Sequence, residues 1–179
     1  MSGGEQVSSE GTQRSERAGQ VRELFDRAQW DYGHGLRSDA LRNVLMAAEL
    51  TALSRFGEGV ARVERWRRFV ADEVYRLSLG VLEAGEPVAK VDGGTVPLGE
   101  VLAGLLAGLD GERGEVAIAV RGEVEFSSSQ QLEVVVDGGR VTAPDLLIEG
   151  LATAVALAAE NAEAFPPWPG GGERAGVRP

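Results

Sequence analysis

The hexapeptide Val91-Asp92-Gly93-Gly94-Thr95-Val96 returns forty-five residues later as Val136-Asp137-Gly138-Gly139-Arg140-Val141, and this echo constrains the fold more than any other feature of the chain. Asp-Gly and Gly-Gly tolerate the positive φ of a tight turn, and branched apolar residues flank them, so each copy predicts a β-hairpin. The match runs on: Glu100 aligns with Asp145, Leu102 with Leu147, Leu106 with Leu151 and Ala107 with Ala152. Each copy therefore reads as a hairpin followed by an amphipathic helix. Two copies make no solenoid. Because any tight hairpin selects Asp-Gly-Gly, the echo reads equally as a ββα duplication and as two independent turns.

Upstream of Pro87 the apolar period is helical. Val21, Leu24, Phe25, Ala28 and Tyr32 form one stripe that must end at Gly33-His34-Gly35. Ser38 is positioned to cap a second helix, in which Leu41, Val44, Leu45, Ala48 and Ala52 form one stripe and Met46, Leu50 and Leu53 another. A helix apolar on two sides sits between neighbours. After Gly57 and Gly59 a third helix is expected, carried by Val63, Trp66, Val70, Leu77 and Val81.

Downstream, residues 115–126 alternate, with Val116, Ile118, Val120, Val124 and Phe126 on one face and Arg121, Glu123 and Glu125 on the other. Ser127-Ser128-Ser129-Gln130 is expected to turn this strand back into residues 132–136. The last helix should open at Thr142-Ala143-Pro144-Asp145, with Thr142 as cap and Pro144 at its first position. The fold class expected is α+β: three N-terminal helices, then a small antiparallel sheet of hairpins with two further helices. The domain spans residues 17–165, a helical half 17–85 and a sheet-plus-helix half 86–165. Residues 1–16 and 166–179 are polar or Pro/Gly-rich and predict mobile tails. Trp168, set between prolines, reads as a lone apolar residue on such a tail rather than as a docking peptide.

Composition removes whole classes of chemistry. Without cysteine there is no disulfide, thiolate metal site, iron–sulfur cluster or cysteine nucleophile, and the sole histidine leaves little for a nitrogen-rich metal site. The formal net charge of −10 opposes attraction to nucleic acid or anionic lipid. No basic-then-apolar leader opens the sequence, and no apolar run is of membrane-spanning length, so a cytosolic location without nucleic-acid or membrane partners is expected. Every basic residue but Lys90 is Arg, and Ile and Asn are scarce. That bias follows GC-rich codons and points to a high-GC bacterium. The arginines need no binding explanation.

The chain lacks a phosphate loop, a dinucleotide glycine fingerprint, a nucleophile elbow and a helix with paired metal-binding histidines, so no cofactor and no metal are expected. What remains is acid–base chemistry. Asp31, Tyr32 and His34 bring a carboxylate, a phenol and an imidazole to one helix end. Packing of the aromatics and the helix dipole also account for them. Arg42 and Glu49 lie two turns apart on the second helix, as a half-buried ion pair or as pocket residues. Arg62, Arg65, Arg67 and Arg68 form the basic cluster, with acidic neighbours that make a solvated ion-paired face its default reading.

The function expected is a small-molecule-binding cytosolic protein, with a cofactor-independent isomerase, lyase or cyclase of specialised metabolism as its enzymatic form. Asp31, Tyr32, His34 and Glu49 would be its catalytic groups and Arg42 its substrate-binding group, in a pocket between the second helix and the sheet. The alternative is a non-catalytic homodimeric interaction or regulatory protein.

Overall fold

Six helices and a five-stranded sheet appear among the residues that the computed structural model describes, 5–82, 86–109 and 124–166, with side chains described over 13–82, 86–108 and 124–166. Helix α1 (Glu5–Gly33) lies against α2 (Arg37–Phe56), followed by α3 (Arg62–Asp72) and the single turn α4 (Val74–Leu77). Strands β1 (Val88–Val91) and β2 (Gly94–Pro97) lead into α5 (Leu98–Leu109). Then come β3 (Val124–Ser127), β4 (Val135–Asp137), β5 (Arg140–Pro144), α6 (Asp145–Leu157) and a closing 3₁₀ turn (Ala159–Asn161). Helices come first and the sheet second, an α+β arrangement. No helix among the described residues is long and apolar enough to cross a membrane.

Helix α2 is the central element, as its two stripes require. Ala40, Leu41, Val44, Leu45, Ala47, Ala48 and Ala52 are all fully buried, and α1, α3, α5 and α6 pack around it. The many alanines let these neighbours approach closely.

Both hairpins form. In the first, Asp92 and Gly93 take the positive φ of the turn (46° and 82°); in the second, Gly138 and Gly139 do (55° and 85°). Val91 pairs with Gly94 in one, but Asp137 pairs with Arg140 in the other. The second turn has therefore slipped by one residue relative to the sequence echo. Between the two turns, Asp92 Oδ1 accepts the amide of Gly138 at 2.9 Å. One turn thus braces the other.

The sheet departs from the expected antiparallel form. Its order is β2-β1-β4-β5-β3, with β1 parallel to β4 and β3 parallel to β5. Strand β5 occupies the place beside β3 that the sequence assigns to residues 132–136. The local Gly138-Gly139 turn delivers β5 to β4, and residues 128–134 need only step over one strand, about 10 Å. Ala89, Val136, Val141, Ala143 and Val124 face the helices, while Lys90–Glu133 and Arg140–Glu125 pair on the open face. Within β3, Val124 is buried and Glu125 exposed, as the alternation predicts; residues 110–123 and 167–179, including Arg121, Glu123 and Trp168, lie outside the described residues.

Four helical boundaries differ from expectation. Helix α1 is already helical from Glu5, inside the stretch read as a tail; once its C-terminal part docks on α2, extending the hydrogen-bond ladder is easier than starting one. The residue preceding α2 is Leu36 and not Ser38, because Arg37 occupies the first turn and ties it to Tyr32 and Asp145. Pro144 rather than Thr142 precedes α6, since Thr142 is held in β5. The third helix breaks at Glu73, which is buried between arginines, so Leu77 packs inward from a separate turn and Val81 is left 69% exposed.

Two glycines allow the helices of the ββα units to cross the α3–α4 segment. A Cβ at Gly99 would lie 2.7 Å from the backbone of Trp66 and Arg67, and one at Gly150 only 2.1 Å from the Leu77 carbonyl oxygen. Gly150→Ala is expected to lower Tm by about 5 °C or more through forced separation of α4 and α6. Gly59→Ala, where nothing stands within 4 Å of the new Cβ, should leave Tm nearly unchanged; equal thermal unfolding of the two variants would refute the close crossing.

Glu160, in the 3₁₀ turn after α6, accepts from Arg55 Nε at 2.9 Å. Burial by itself would raise its carboxyl, but the hydrogen bonds and charge of Arg55, with a backbone amide, hold it below the ordinary value. A carboxyl lower in the folded than in the unfolded state adds stability above its unfolded value, roughly 4.3, and that stability is lost as pH falls through the folded value. Thermal unfolding from about pH 6 down to about pH 3 should show a steeper acid loss for wild type than for Glu160→Gln. Parallel curves would remove Glu160 from the acid response.

Candidate functional site

The sequence-predicted candidates divide between two places. Asp31, Tyr32 and His34 end α1, whereas Glu49 lies on α2, roughly 18 Å along the helix from its start. Two separate cavities correspond to them, and they share no lining residue.

The first cavity, about 350 Å³ and open to solvent, lies between α1, α2, α3 and α5. Leu24, Met46, Leu50 and Leu106 form its apolar wall; Gln20, Glu23, Arg27, Glu49 and Arg62 supply the polar groups. No strand residue lines it, so it is not the pocket against the sheet that the sequence suggested. Met46 and Leu50 are there because the second stripe of α2 faces α1 and α5 without being fully covered. Arg27 donates to Glu23 at 2.5 Å, one turn away.

Glu49 is the chemically distinctive member. Its Oε1 accepts from Arg65 Nη2 at 2.8 Å and from Arg62 Nε at 3.3 Å. Its Oε2 is buried and has no hydrogen-bond partner among the described residues. Arg65 is itself buried and also donates to the Val60 carbonyl, so it holds Glu49 from a fixed position. The expected Arg42–Glu49 pair is corrected here: Arg42 is exposed, and α3 brings its own two arginines onto the carboxylate. Seven residues along a helix span about 10 Å, farther than a side-on neighbour from the next helix. Arg67 and Arg68 pair with Glu86 and Glu64, as a solvated face should.

The second cavity, about 240 Å³, is lined by Tyr32, Leu79, Ser128, Ser129, Gln130, Asp145, Leu146 and Glu149. Tyr32 donates its hydroxyl hydrogen to Glu149 Oε1 at 2.5 Å. Arg37 lies over the Tyr32 ring at 4.2 Å and donates to Asp145 at 2.9 Å and to the Tyr32 carbonyl at 2.9 Å. The Glu149 hydrogen bond, then burial, then the Glu149 charge push the phenol up to about 12 against the opposing charge of Arg37. Tyr32 is therefore a fixed donor at neutral pH and not a base. Asp31 accepts from Asn43 Nδ2 at 2.8 Å, fastening α1 to α2. His34 stacks on Trp30 at 3.9 Å between ring centroids, and its Nδ1 lies 2.7 Å from the Trp30 carbonyl. Neither Asp31 nor His34 lines either cavity.

Sequence reading passed over Glu149, the partner of Tyr32, and Leu106, which lines the Glu49 cavity only because α5 docks on α3 and α2. Neither carries a local signal, since each partner is remote in sequence. No group of three His, Asp or Glu side chains among the described residues is placed to hold a metal ion. Compared with protein-family models, with curated proteins and with solved structures, the chain finds no match in any of the three.

A phenol raised in the folded state adds stability below its ordinary value near 10 and loses it as pH rises through the folded value. In the Tyr75→Phe variant Tyr32 is the last tyrosine of the two. Its ultraviolet titration should place ionisation at about 12, and Glu149→Gln should bring it back towards roughly 10. Ionisation near 10 in both would break the Tyr32–Glu149 assignment.

Proposed function

We propose that this protein binds a small molecule in the cavity between α1, α2, α3 and α5, with Glu49 as its polar anchor. One observation carries the reading: a carboxylate held from one side by two arginines sits at a mostly apolar cavity of about 350 Å³ with its second oxygen unpartnered among the described residues. Pockets that recognise small molecules combine such walls with a few placed polar groups. The reading favours binding over acid–base catalysis. Asp31 and His34 do not line the cavity, Tyr32 belongs to the other one, and Glu49 is tied by ion pairs to Arg62 and Arg65.

A fragment panel of small amphiphiles, followed by ligand-observed NMR on the full chain, tests this. Several members should bind, and Leu50→Trp, which fills the cavity from a half-buried position, should abolish their binding while the circular dichroism spectrum is retained. Binding untouched by Leu50→Trp would sink the proposal. A silent panel together with a concentration-dependent dimer in sedimentation would favour the homodimeric alternative, for which Tyr75, Leu79, Val81 and Leu82 offer an exposed apolar surface.

A further inference from the structure

The polar inventory of the Glu49 cavity selects a ligand class. Of the two arginines that line it, Arg27 is engaged by Glu23 and Arg62 by Glu49. Among the lining residues, the one buried polar atom without a hydrogen bond is Glu49 Oε2, and it is an acceptor. A buried carboxylate oxygen left without a donor is destabilising, so a ligand gains most by supplying a donor.

Charge decides which donor. Glu49 already has two guanidinium groups within 3.3 Å, so an ammonium group would be desolvated beside like charge with little left to neutralise. A ligand carboxylate would bring a second acceptor to an acceptor, next to Glu23 and Glu49, against arginines that already have acidic partners. A hydroxyl or an amide N–H brings the hydrogen without net charge. Leu24, Met46, Leu50 and Leu106 require the remainder to be apolar, and the unbranched Met46 adapts to its shape. At the ~30 Å³ that one water occupies in the liquid, the cavity holds on the order of ten non-hydrogen atoms. Oε2 is closed off from solvent as it stands, so the ligand's donor is met by a turn of the glutamate's soft terminal torsion towards the cavity, which does not require the helix to move.

We infer that the cavity takes a neutral amphiphile, an apolar body of on the order of ten non-hydrogen atoms whose hydroxyl or amide N–H donates to Glu49 Oε2. This rests on the small-molecule reading of the same cavity. The test is calorimetric titration of the full chain with 1-octanol, octyl methyl ether, octylamine and octanoate, on wild type, Glu49→Gln and Leu50→Trp. In wild type the alcohol should bind about tenfold or more tighter than the ether, which lacks the donor, and tighter than either charged probe. In Glu49→Gln the side chain can itself donate to an ether oxygen, and the alcohol's advantage should largely disappear. If that variant does not fold, the alcohol-to-ether ratio of wild type still decides. An ether bound as tightly as the alcohol, or tightest binding of the amine or the acid, overturns the ligand class and leaves the cavity reading standing when Leu50→Trp abolishes that binding. Failure of every probe to bind wild type, or binding that Leu50→Trp does not touch, overturns the cavity reading itself.

Discussion

A carboxylate with almost no contact with solvent sets the position of nearly everything else. Glu73 is 3% exposed at the joint between α3 and α4, and a buried charge is tolerable only where it is paired and hydrogen-bonded. Arg55 of α2 donates to one oxygen at 2.7 Å and Arg76 to the other at 2.6 Å. The same Arg55 holds Glu160 beyond the end of α6 and lies 5.5 Å from the Phe69 ring centre. Burial would lower its pKa, yet the hydrogen bonds it donates to Glu160 and Glu73 raise it above the ordinary value. Beside it, Asn161 donates to the Thr51 hydroxyl and to the Val155 carbonyl, both at 2.8 Å. One guanidinium on α2 thereby fixes the α3–α4 joint and the end of α6 together. From that joint, Leu77 meets α6 at Gly150 and Arg67 meets α5 at Gly99.

The candidate site follows from the same arrangement. Because α3 is held against α2, Arg62 and Arg65 arrive at Glu49, and because α5 docks through Gly99, Leu106 closes the cavity opposite Met46 and Leu50. The other end of α2 has a different task. Arg37 and Asn43 bind Tyr32, Asp145 and Asp31 there, so the acidic and aromatic cluster at the end of α1 is taken up in joining α1, α2 and α6. A group of acid–base residues close in sequence is thus spent mainly on structure, and the residue apart from them, Glu49, stands at the apolar cavity.

How far each element could be read depended on the range of the interactions that form it. The hairpins were legible in the two Asp-Gly-Gly runs at 92–94 and 137–139, because a tight turn is a local demand on φ, although the second places that demand on Gly138 and Gly139 and not on Asp137. Burial of α2 was legible in its two stripes. The break at Glu73 was not, since a helical period continues through it and burial of the carboxylate needs Arg55, eighteen residues away, as well as the nearby Arg76. Nor was the placement of β5 beside β3, because alternation specifies which face of a strand is buried and says nothing of which strand lies next to it. Glu49 could be picked out as a charged residue beside an apolar stripe, but its partners could not, as they come from another helix.

What this sequence determines by itself is therefore local: where turns fall, which helix faces are apolar, that helices precede a sheet, and that these residues offer no thiol. Tertiary structure alone decided the mixed strand order, the one-residue slip between the two turns, the pairing of Glu49 with Arg62 and Arg65, and the cavity at which it stands. The physical reason is that φ preference and apolar period act over a few neighbouring residues. Buried charge pairing, close helix crossing at Gly99 and Gly150, and the volume left between helices depend on groups that meet only after the whole chain has packed.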